Sequence, residues 1–205
     1  VGDFMDIKKM VDWAVQTHQN FVQVLPINDT TMTHTWTDSY PYNANSTFAL
    51  HPMFLRLSVM GHLNDKERQR YFDELGRELN KLPEIDYERV NKAKIQFTRE
   101  LYAQNGNDDM STPEFREFLS RNASWLTPYA AFCVLRDLNG TPDMSKWGEY
   151  AVYDEAKVKD FIDAHTYDIN YVYYIQYHLD RQMRMVHDYA RANGVAIKGD
   201  IPIGI

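Results

Sequence analysis

The sequence predicts an α/β fold, part of a parallel sheet or barrel that carries a large, predominantly helical insertion. Two short apolar segments, "FVQVLPI" at 21–27 and "VAIKGDIPIGI" at 195–205, are rich in β-branched residues and indicate buried strands. Polar residues beside a proline end each strand, and helical patterns precede the first strand and fill the interval between the two. Strands separated by helices favour a parallel arrangement. A complete sheet needs more strands than these two, so the 205 residues predict a portion of such a fold.

The segment before the first strand predicts an amphipathic helix over 6–17, with Asp6 as its N-cap. Apolar side chains recur there at helical spacing, at Ile7, Met10, Val11, Ala14 and Val15. The helix is followed by the first strand, which Pro26 stops.

The middle of the chain predicts helices. Between 64 and 120, "ERQRYFDELGRELNKL" and "DYERVNKAKIQFTRELYAQ" indicate two antiparallel helices joined at "PEID". "NGNDDMSTPEF" predicts a loop and a new helix start, with Ser111 and Glu114 spaced as a capping box and Pro113 in the first turn. Helical patterns continue over 125–138, 154–165 and 168–193, and Gly194 stands where the last helix should end.

Composition excludes several classes of function. The formal net charge of −7 and the pI near 5.5 argue against a nucleic-acid partner, because phosphate binding needs clustered Lys and Arg. No apolar run is long enough to cross a bilayer, and the first ten residues do not resemble a signal peptide, so we expect a soluble protein without a membrane partner. Cys133, the single cysteine, predicts an inert buried thiol.

The sequence predicts neither a metal site nor a cofactor. The histidines, including His34, His51, His178 and His187, fall on separate predicted elements and lack zinc-ligand spacing. No glycine-rich phosphate loop, nucleophile elbow or paired-cysteine motif occurs. The aromatic stripes of the last helix, which include Tyr171 and Tyr174, indicate packing.

The loop after the first strand combines flat aromatic rings with short hydrogen-bonding groups. Its members of these two kinds are Asn28, Asp29, Trp36, Asp38, Ser39, Tyr40 and Tyr42. Sugars bind by stacking on such rings while their hydroxyls meet carboxylates and amides, so a glycan cleft would use these residue types. A surface loop whose aromatic rings pack onto the protein itself has the same composition. Asp200, which follows Gly199 at the end of the second strand, is equally consistent with a functional carboxylate and with an ordinary turn.

Longer motifs carry a family resemblance. "VGDFMDIKKMVDWAV", "VQVLPINDT", "WTDSYPYNANSTFALHP", "WLTPYAAFCVLRD", "YIQYHLDRQM" and "YARANGVAIKGDIPIGI" together resemble 4-alpha-glucanotransferases, also called amylomaltases or disproportionating enzymes. The resemblance is greatest to the branch typified by the plant cytosolic disproportionating enzyme, and it extends from Val1 to Ile205.

This resemblance implies a (β/α)8 TIM barrel of which the two strands are the second and third. It also implies transfer of α-1,4-glucan segments between maltooligosaccharides by a retaining double displacement, without a cofactor, in which one carboxylate attacks the anomeric carbon and a second carboxyl group protonates the leaving oxygen. Residues that match the segment lining the donor cleft are Asp38, Ser39, Pro41, Tyr42 and Ser46, with Tyr40 as an additional tyrosine within it. Asp200 matches the acidic residue at the end of the third strand, near the reacting sugar.

The resemblance further implies that the nucleophile and the acid/base lie beyond Ile205, so we expect the isolated 205 residues to be inactive. Within them we expect a helix, strand and cleft loop over 1–52, a helical insertion over 53–165, and the last helix and strand over 166–205. Exposed strand edges predict self-association, and the branch implies a cytoplasmic location. The alternative is a free-standing helical glycan-binding or scaffold module without activity.

Overall fold

The two predicted strands lie side by side in the computed structural model, which describes residues 2–204. β1 (Phe21–Gln23) and β2 (Ala196–Lys198) pair in parallel, with Val22 opposite Ile197. The predicted α/β arrangement with parallel strands is therefore confirmed, although each strand is shorter than its apolar segment. By length the described chain is mostly helical.

Helices fill most of the interval between the strands. The described residues form α1 (Ile7–Gln16), α2 (Leu57–Met60), α3 (Lys66–Leu79), α4 (Tyr87–Met110), α5 (Pro113–Asn139), α6 (Glu155–Ala164) and α7 (Thr166–Ala192). Short 3-10 turns occur at Phe4–Asp6, Trp36–Ser39, Pro52–Phe54, Met144–Lys146 and Gly148–Tyr150. The predicted helices occur in the predicted order, but the helix expected to begin at 113 and the one expected over 125–138 form the single helix α5, and α2 was not predicted. Gly194, at φ 70°, follows α7 as expected of a C-terminal glycine.

Asp6 occupies the N-cap position of α1, as predicted, but its side chain makes no capping hydrogen bond to that helix. A 3-10 turn precedes α1, and Asp3 caps that turn by accepting a hydrogen bond from Met5 N at 3.0 Å. Asp6 instead reaches back to accept from Asp3 N at 3.2 Å, which completes a capping box one turn earlier. The helical segment begins earlier because Phe4 is buried in the core, which draws this first turn onto the protein.

The predicted loop between α4 and α5 was also wrong in part. "NGNDDM" continues α4 to Met110, and Thr112 rather than Ser111 caps α5, accepting from Phe115 N at 3.3 Å. Gly106 lies in this helical stretch because the Tyr102 ring occupies the space of a side chain: a Cβ on Gly106 would lie 2.4 Å from it. Packing thus overrides the turn-like composition of the segment.

Helix α7 packs against α1, α4, α5 and α6 and holds the extended chain before α2 in place. The Gln176 side chain pairs with both backbone groups of Leu50, accepting from N at 2.9 Å and donating to O at 2.8 Å. Gln182 does the same with Arg56 at 2.8 and 3.0 Å. Both glutamines are almost completely buried. Through them the end of the loop that follows β1 is fixed to α7.

The strand side of the molecule exposes large apolar side chains. Phe21, Leu25, Ile201 and Ile203 are all more than half exposed. By contrast Tyr171, Tyr174 and His178 on α7 are buried, which confirms that the aromatic stripe of this helix serves packing. Over residues 2–204, no helix combines the length and hydropathy required of a membrane span.

Candidate functional site

The loop after β1 and the segment after β2 meet in a direct contact between Tyr42 and Asp200. The Tyr42 hydroxyl donates a hydrogen bond to Asp200 Oδ2 at 2.8 Å, although the two residues are 158 positions apart. A second link joins the backbones, since Gly204 N donates to Tyr42 O at 2.9 Å. A side chain at Gly204 would collide with that oxygen, because its Cβ would lie 2.6 Å away. The structure therefore brings together two of the predicted site residues from separate elements.

Tyr42 remains a hydrogen-bond donor in this contact. The hydrogen bond to the Asp200 carboxylate, with a smaller effect of desolvation, raises the pKa of the Tyr42 hydroxyl above its ordinary value. Asp200 is half-buried, and its other oxygen accepts from the backbone N of Ile201 at 2.9 Å. A carboxylate offers about four lone-pair positions, so about two remain for hydroxyl groups of a ligand.

Two aromatic rings of the loop face solvent, and one of them, Tyr40, lies beside this contact. The Tyr40 ring lies 5.7 Å from the Tyr42 ring, centroid to centroid, and Tyr40 is 60% exposed. Trp36, at the start of the 3-10 turn, is 63% exposed. The alternative that the loop aromatics all pack onto the protein itself does not hold for these two rings. Together with Tyr42 they offer ring faces of the kind on which sugars stack.

Asp38 belongs to the same loop, but it is buried. It accepts from the backbone N of Thr33 at 2.9 Å and of His34 at 2.7 Å, and from the Thr33 hydroxyl at 3.1 Å. His34 has a φ of 59°, a backbone conformation that residues other than glycine rarely adopt. The Asp38 carboxylate thus stabilises a tight bend of the loop.

The two serines among the predicted site residues, Ser39 and Ser46, differ in whether their hydroxyls are already hydrogen-bonded within the loop. Ser46 Oγ accepts from Phe48 N at 3.1 Å and from Ala49 N at 3.0 Å, so it organises a turn. Ser39 is half-buried, and its hydroxyl makes no hydrogen bond to residues in the described range 2–204. Ser39 also lines, with Asp38 and Pro41, a mostly apolar groove of about 450 Å³ between the loop and the N-terminal helix.

The base of the loop is fixed to α5 by a buried carboxylate, Asp29. One oxygen accepts from Thr31 N and Oγ1 at 3.1 and 2.6 Å, and the other accepts from Tyr129 Oη at 2.7 Å and Asn45 Nδ2 at 3.0 Å. Asp29 is 1% exposed, and every donor is neutral. By composition Asp29 was a possible sugar ligand, but its hydrogen bonds hold the loop together.

Arg136 and Asp137 of α5 hydrogen-bond to the loop after β1. Arg136 donates to Thr31 O at 2.6 Å and to Asp137 Oδ1 at 2.8 Å, and His34 Nε2 lies 2.9 Å from the same carboxylate oxygen. Burial alone would raise the Asp137 pKa, but the hydrogen bonds from His34 and Arg136 hold it below its ordinary value. Sequence reasoning missed these residues. The signal was an arginine directly after the apolar run "AAFCVL", where a charge needs a buried partner.

Cys133 lies in the same helix and is buried, as predicted. Burial raises the pKa of its thiol to about 12, so it stays protonated at neutral pH. Within the described part of the chain, no three His, Cys, Asp or Glu side chains come together as a metal site would require.

A family model, relatives in sequence and a solved structure all indicate the same protein family. A family model described as 4-alpha-glucanotransferase matches residues 1–205. The 4-alpha-glucanotransferase DPE2 of Oryza sativa subsp. japonica is 39% identical over 100% of this chain and 22% of its own length. A 4-alpha-glucanotransferase of Chlamydia muridarum is 32% identical over 99% of this chain, and the chain spans 38% of that relative. In structure, the chain resembles an amylomaltase from Streptococcus agalactiae solved in complex with acarbose, with a TM-score of 0.77 at 21% identity, over 94% of this chain and 38% of the other.

Proposed function

The chain belongs to the 4-alpha-glucanotransferase family, and on that premise we propose that Tyr42 and Asp200 form part of the surface that holds an α-1,4-glucan. The protein to which this surface belongs would transfer glucan segments between maltooligosaccharides by a retaining double displacement. The observation that carries the proposal is the hydrogen bond of 2.8 Å between Tyr42 and Asp200.

The position of this contact supports the proposal. Tyr42 belongs to the loop that leaves the carboxyl end of β1, and Asp200 follows the carboxyl end of β2 by two residues. Parallel α/β folds build their binding sites from the carboxyl ends of adjacent strands. In the proposal, β1 and β2 are the second and third strands of a (β/α)8 barrel.

The proposed roles of the site residues follow from their contacts. Asp200 would accept hydroxyl hydrogen bonds from the sugar with the lone pairs that Tyr42 and Ile201 leave free. Tyr42 and Tyr40 would stack against sugar faces, and Ser39 would contribute its free hydroxyl. Asp38 and Ser46 would act as positioning residues, because their side-chain oxygens already accept hydrogen bonds within the loop.

The chemical step in this proposal needs a nucleophile and an acid/base that are not assigned to any residue between Val1 and Ile205. Hydrogen bonds to Asp200 would strengthen as the sugar ring flattens toward an oxocarbenium ion, which lowers the barrier without covalent participation. The free-standing module considered as an alternative is not favoured, since the family match extends over the whole chain.

Two further expectations stay predictions. The exposed apolar residues on the strand side, among them Phe21, Leu25 and Ile203, would be covered either by neighbouring strands of a longer protein or by a second copy. The predicted division into 1–52, 53–165 and 166–205 assigns the helical insertion to the middle part.

The test is Tyr42→Ala in a full-length family member that carries this sequence. We expect kcat/KM for maltooligosaccharides to fall about tenfold or more, equivalent to about 1.4 kcal/mol, because a stacking face and a donor to Asp200 are both lost. Tyr153→Ala is the matched control, because Tyr153 is an exposed tyrosine outside the loop. It should leave both activity and melting temperature unchanged. The proposal would be contradicted if Tyr42→Ala lowered the melting temperature so far that unfolding alone accounted for the loss of activity.

A further inference from the structure

A cavity of about 400 Å³ lies among α4, α5, α7 and the loop after β1, separate from the contact between Tyr42 and Asp200. Its lining is mostly apolar and includes Leu55, Ile95, Val134, Val172 and Ile175. Neither Tyr42 nor Asp200 lines it. A cavity of this size accommodates a small organic molecule.

The polar groups in its lining are largely satisfied by one another. Arg99 pairs with Asp168 at 2.6 Å. The hydroxyls of Thr98 and Tyr171 lie 2.8 Å apart, and each is buried. The Arg136 guanidinium is bound by Asp137 and Thr31 O, as described above. Because these groups already bind one another, they form the wall of the cavity and offer little to a ligand.

Lys94 differs from these groups because its amine meets only neutral acceptors. Lys94 Nζ donates to the backbone carbonyls of Met53 and Leu55, the latter at 2.8 Å. Over residues 2–204, no carboxylate lies within 4.0 Å of it. Asp3 and Asp6 act on it only at longer range, and both are paired with Arg56.

The carbonyls of Met53 and Leu55 occupy two directions of the Lys94 amine, and no further acceptor within residues 2–204 occupies the third. When the amine is neutral, its two N–H groups can bind those carbonyls while its lone pair takes the remaining tetrahedral direction. Burial lowers the pKa of Lys94 to about 8, so the neutral form is a minority at neutral pH but far more abundant than for an exposed lysine. Cys133 lines the same cavity as a protonated thiol, which leaves the amine as the nucleophile.

We propose that Lys94 is a covalent modification site for small aldehydes with an apolar body, which enter this cavity and form an imine with its amine. The nitrogen lone pair adds to the carbonyl carbon, and a proton moves from nitrogen to oxygen to give a carbinolamine. The hydroxyl and the remaining N–H proton then leave together as water, which forms the C=N bond, so the step needs no oxidant or reductant. The apolar lining selects the aldehyde body, and the carbonyls of Met53 and Leu55 orient the amine.

The experiment uses benzaldehyde as the probe, with cyanoborohydride to reduce the imine and peptide mass spectrometry to locate benzylated lysines. At pH 8 a group of pKa 8 is about one-half neutral, whereas an ordinary lysine of pKa about 10.4 is about 0.4% neutral. Lower basicity offsets part of this advantage, so we expect Lys94 to react about tenfold faster than Nα-acetyl-lysine amide included in the same reaction. Lys92, an exposed lysine on the same helix, is the internal control and should react no faster than the amide.

Benzyl alcohol tests whether the reaction takes place in the cavity, because it matches benzaldehyde in shape but forms no imine. We expect it to slow benzylation of Lys94 and to leave Lys92 unaffected. Reaction of Lys94 no faster than that of Lys92 would overturn the proposal. Fast reaction that benzyl alcohol does not slow would overturn it too, since the amine would then react directly from solvent.

Discussion

The loop between β1 and α2 presents two faces that contain the same residue types but use them differently. On the inner face, the side-chain oxygens of Asp29, Asp38 and Ser46 accept hydrogen bonds from backbone and side-chain groups nearby. On the outer face, Tyr40 is mostly exposed, and Tyr42 donates a hydrogen bond to Asp200 of the segment that follows β2. The inner residues build the loop, and the outer residues are the ones that we propose meet a ligand.

This difference shows that composition identifies a polar aromatic loop but not which of its members bind. Carboxylates and hydroxyls hold tight turns through the same hydrogen bonds with which they bind sugars. A residue whose acceptors are already occupied gains little from a ligand, whereas an unoccupied acceptor next to exposed rings gains more. Substitutions should therefore affect stability on the inner face and activity on the outer face.

The largest effect should follow from Asp29→Ala. It leaves Tyr129 Oη, Asn45 Nδ2 and Thr31 N without their acceptor in a buried position, and we expect a loss of about 3 kcal/mol in the free energy of unfolding. Chemical denaturation of the protein measures this. Asp160→Ala, at an exposed position of α6, should change it by less than about 0.5 kcal/mol. If the two substitutions lowered the free energy of unfolding equally, Asp29 would not be a residue that builds the loop.

Asp38→Ala should have a smaller effect on stability, about 2 kcal/mol, because solvent can reach part of the loop once the carboxylate is gone. The backbone N–H groups of Thr33 and His34 lose their acceptor, and the bend at His34 loses its support. Hydrogen exchange of the Thr33 and His34 amides should become faster. Unchanged exchange, with activity lost at full stability, would assign Asp38 to the outer face instead.

The smallest effect separates the two serines. Ser46→Ala removes the acceptor of Phe48 N and Ala49 N and should lower the free energy of unfolding by about 1 kcal/mol. Ser39→Ala should leave stability unchanged within about 0.5 kcal/mol, because no described residue bonds to its hydroxyl. Parallel thermal melts of the two variants decide this, and the reverse order would contradict the assignment.

The fold was predictable from the sequence where periodicity was strong. The two strands, their parallel relation and the long helices follow from apolar spacing and from the proline and glycine positions. The errors arose where tertiary packing outweighs local composition. Gly106 lies within α4 because the Tyr102 ring packs against it, and Asp3 caps the first turn because Phe4 enters the core.

The site was predictable as a set of residues but not as a geometry. Motifs identified Tyr42 and Asp200 separately, yet nothing local to either residue shows that their side chains meet across 158 positions. The support from Tyr129 and Arg136 was missed for the same reason, since their partners Asp29 and Thr31 lie about a hundred residues away along the chain. Long-range hydrogen bonds are decided by the packing of α5 and α7, which sequence patterns do not specify.

The central claim is that Asp200 contacts the glucan rather than serving as a turn residue, and Asp200→Asn in a full-length family member tests it most directly. Asparagine keeps the shape and removes the charge. We predict that kcat/KM for maltooligosaccharides falls at least about tenfold, equivalent to about 1.4 kcal/mol of transition-state stabilisation. The melting temperature should change by less than about 2 °C. Unchanged turnover, or a loss of activity that follows a large fall in melting temperature, would contradict the claim.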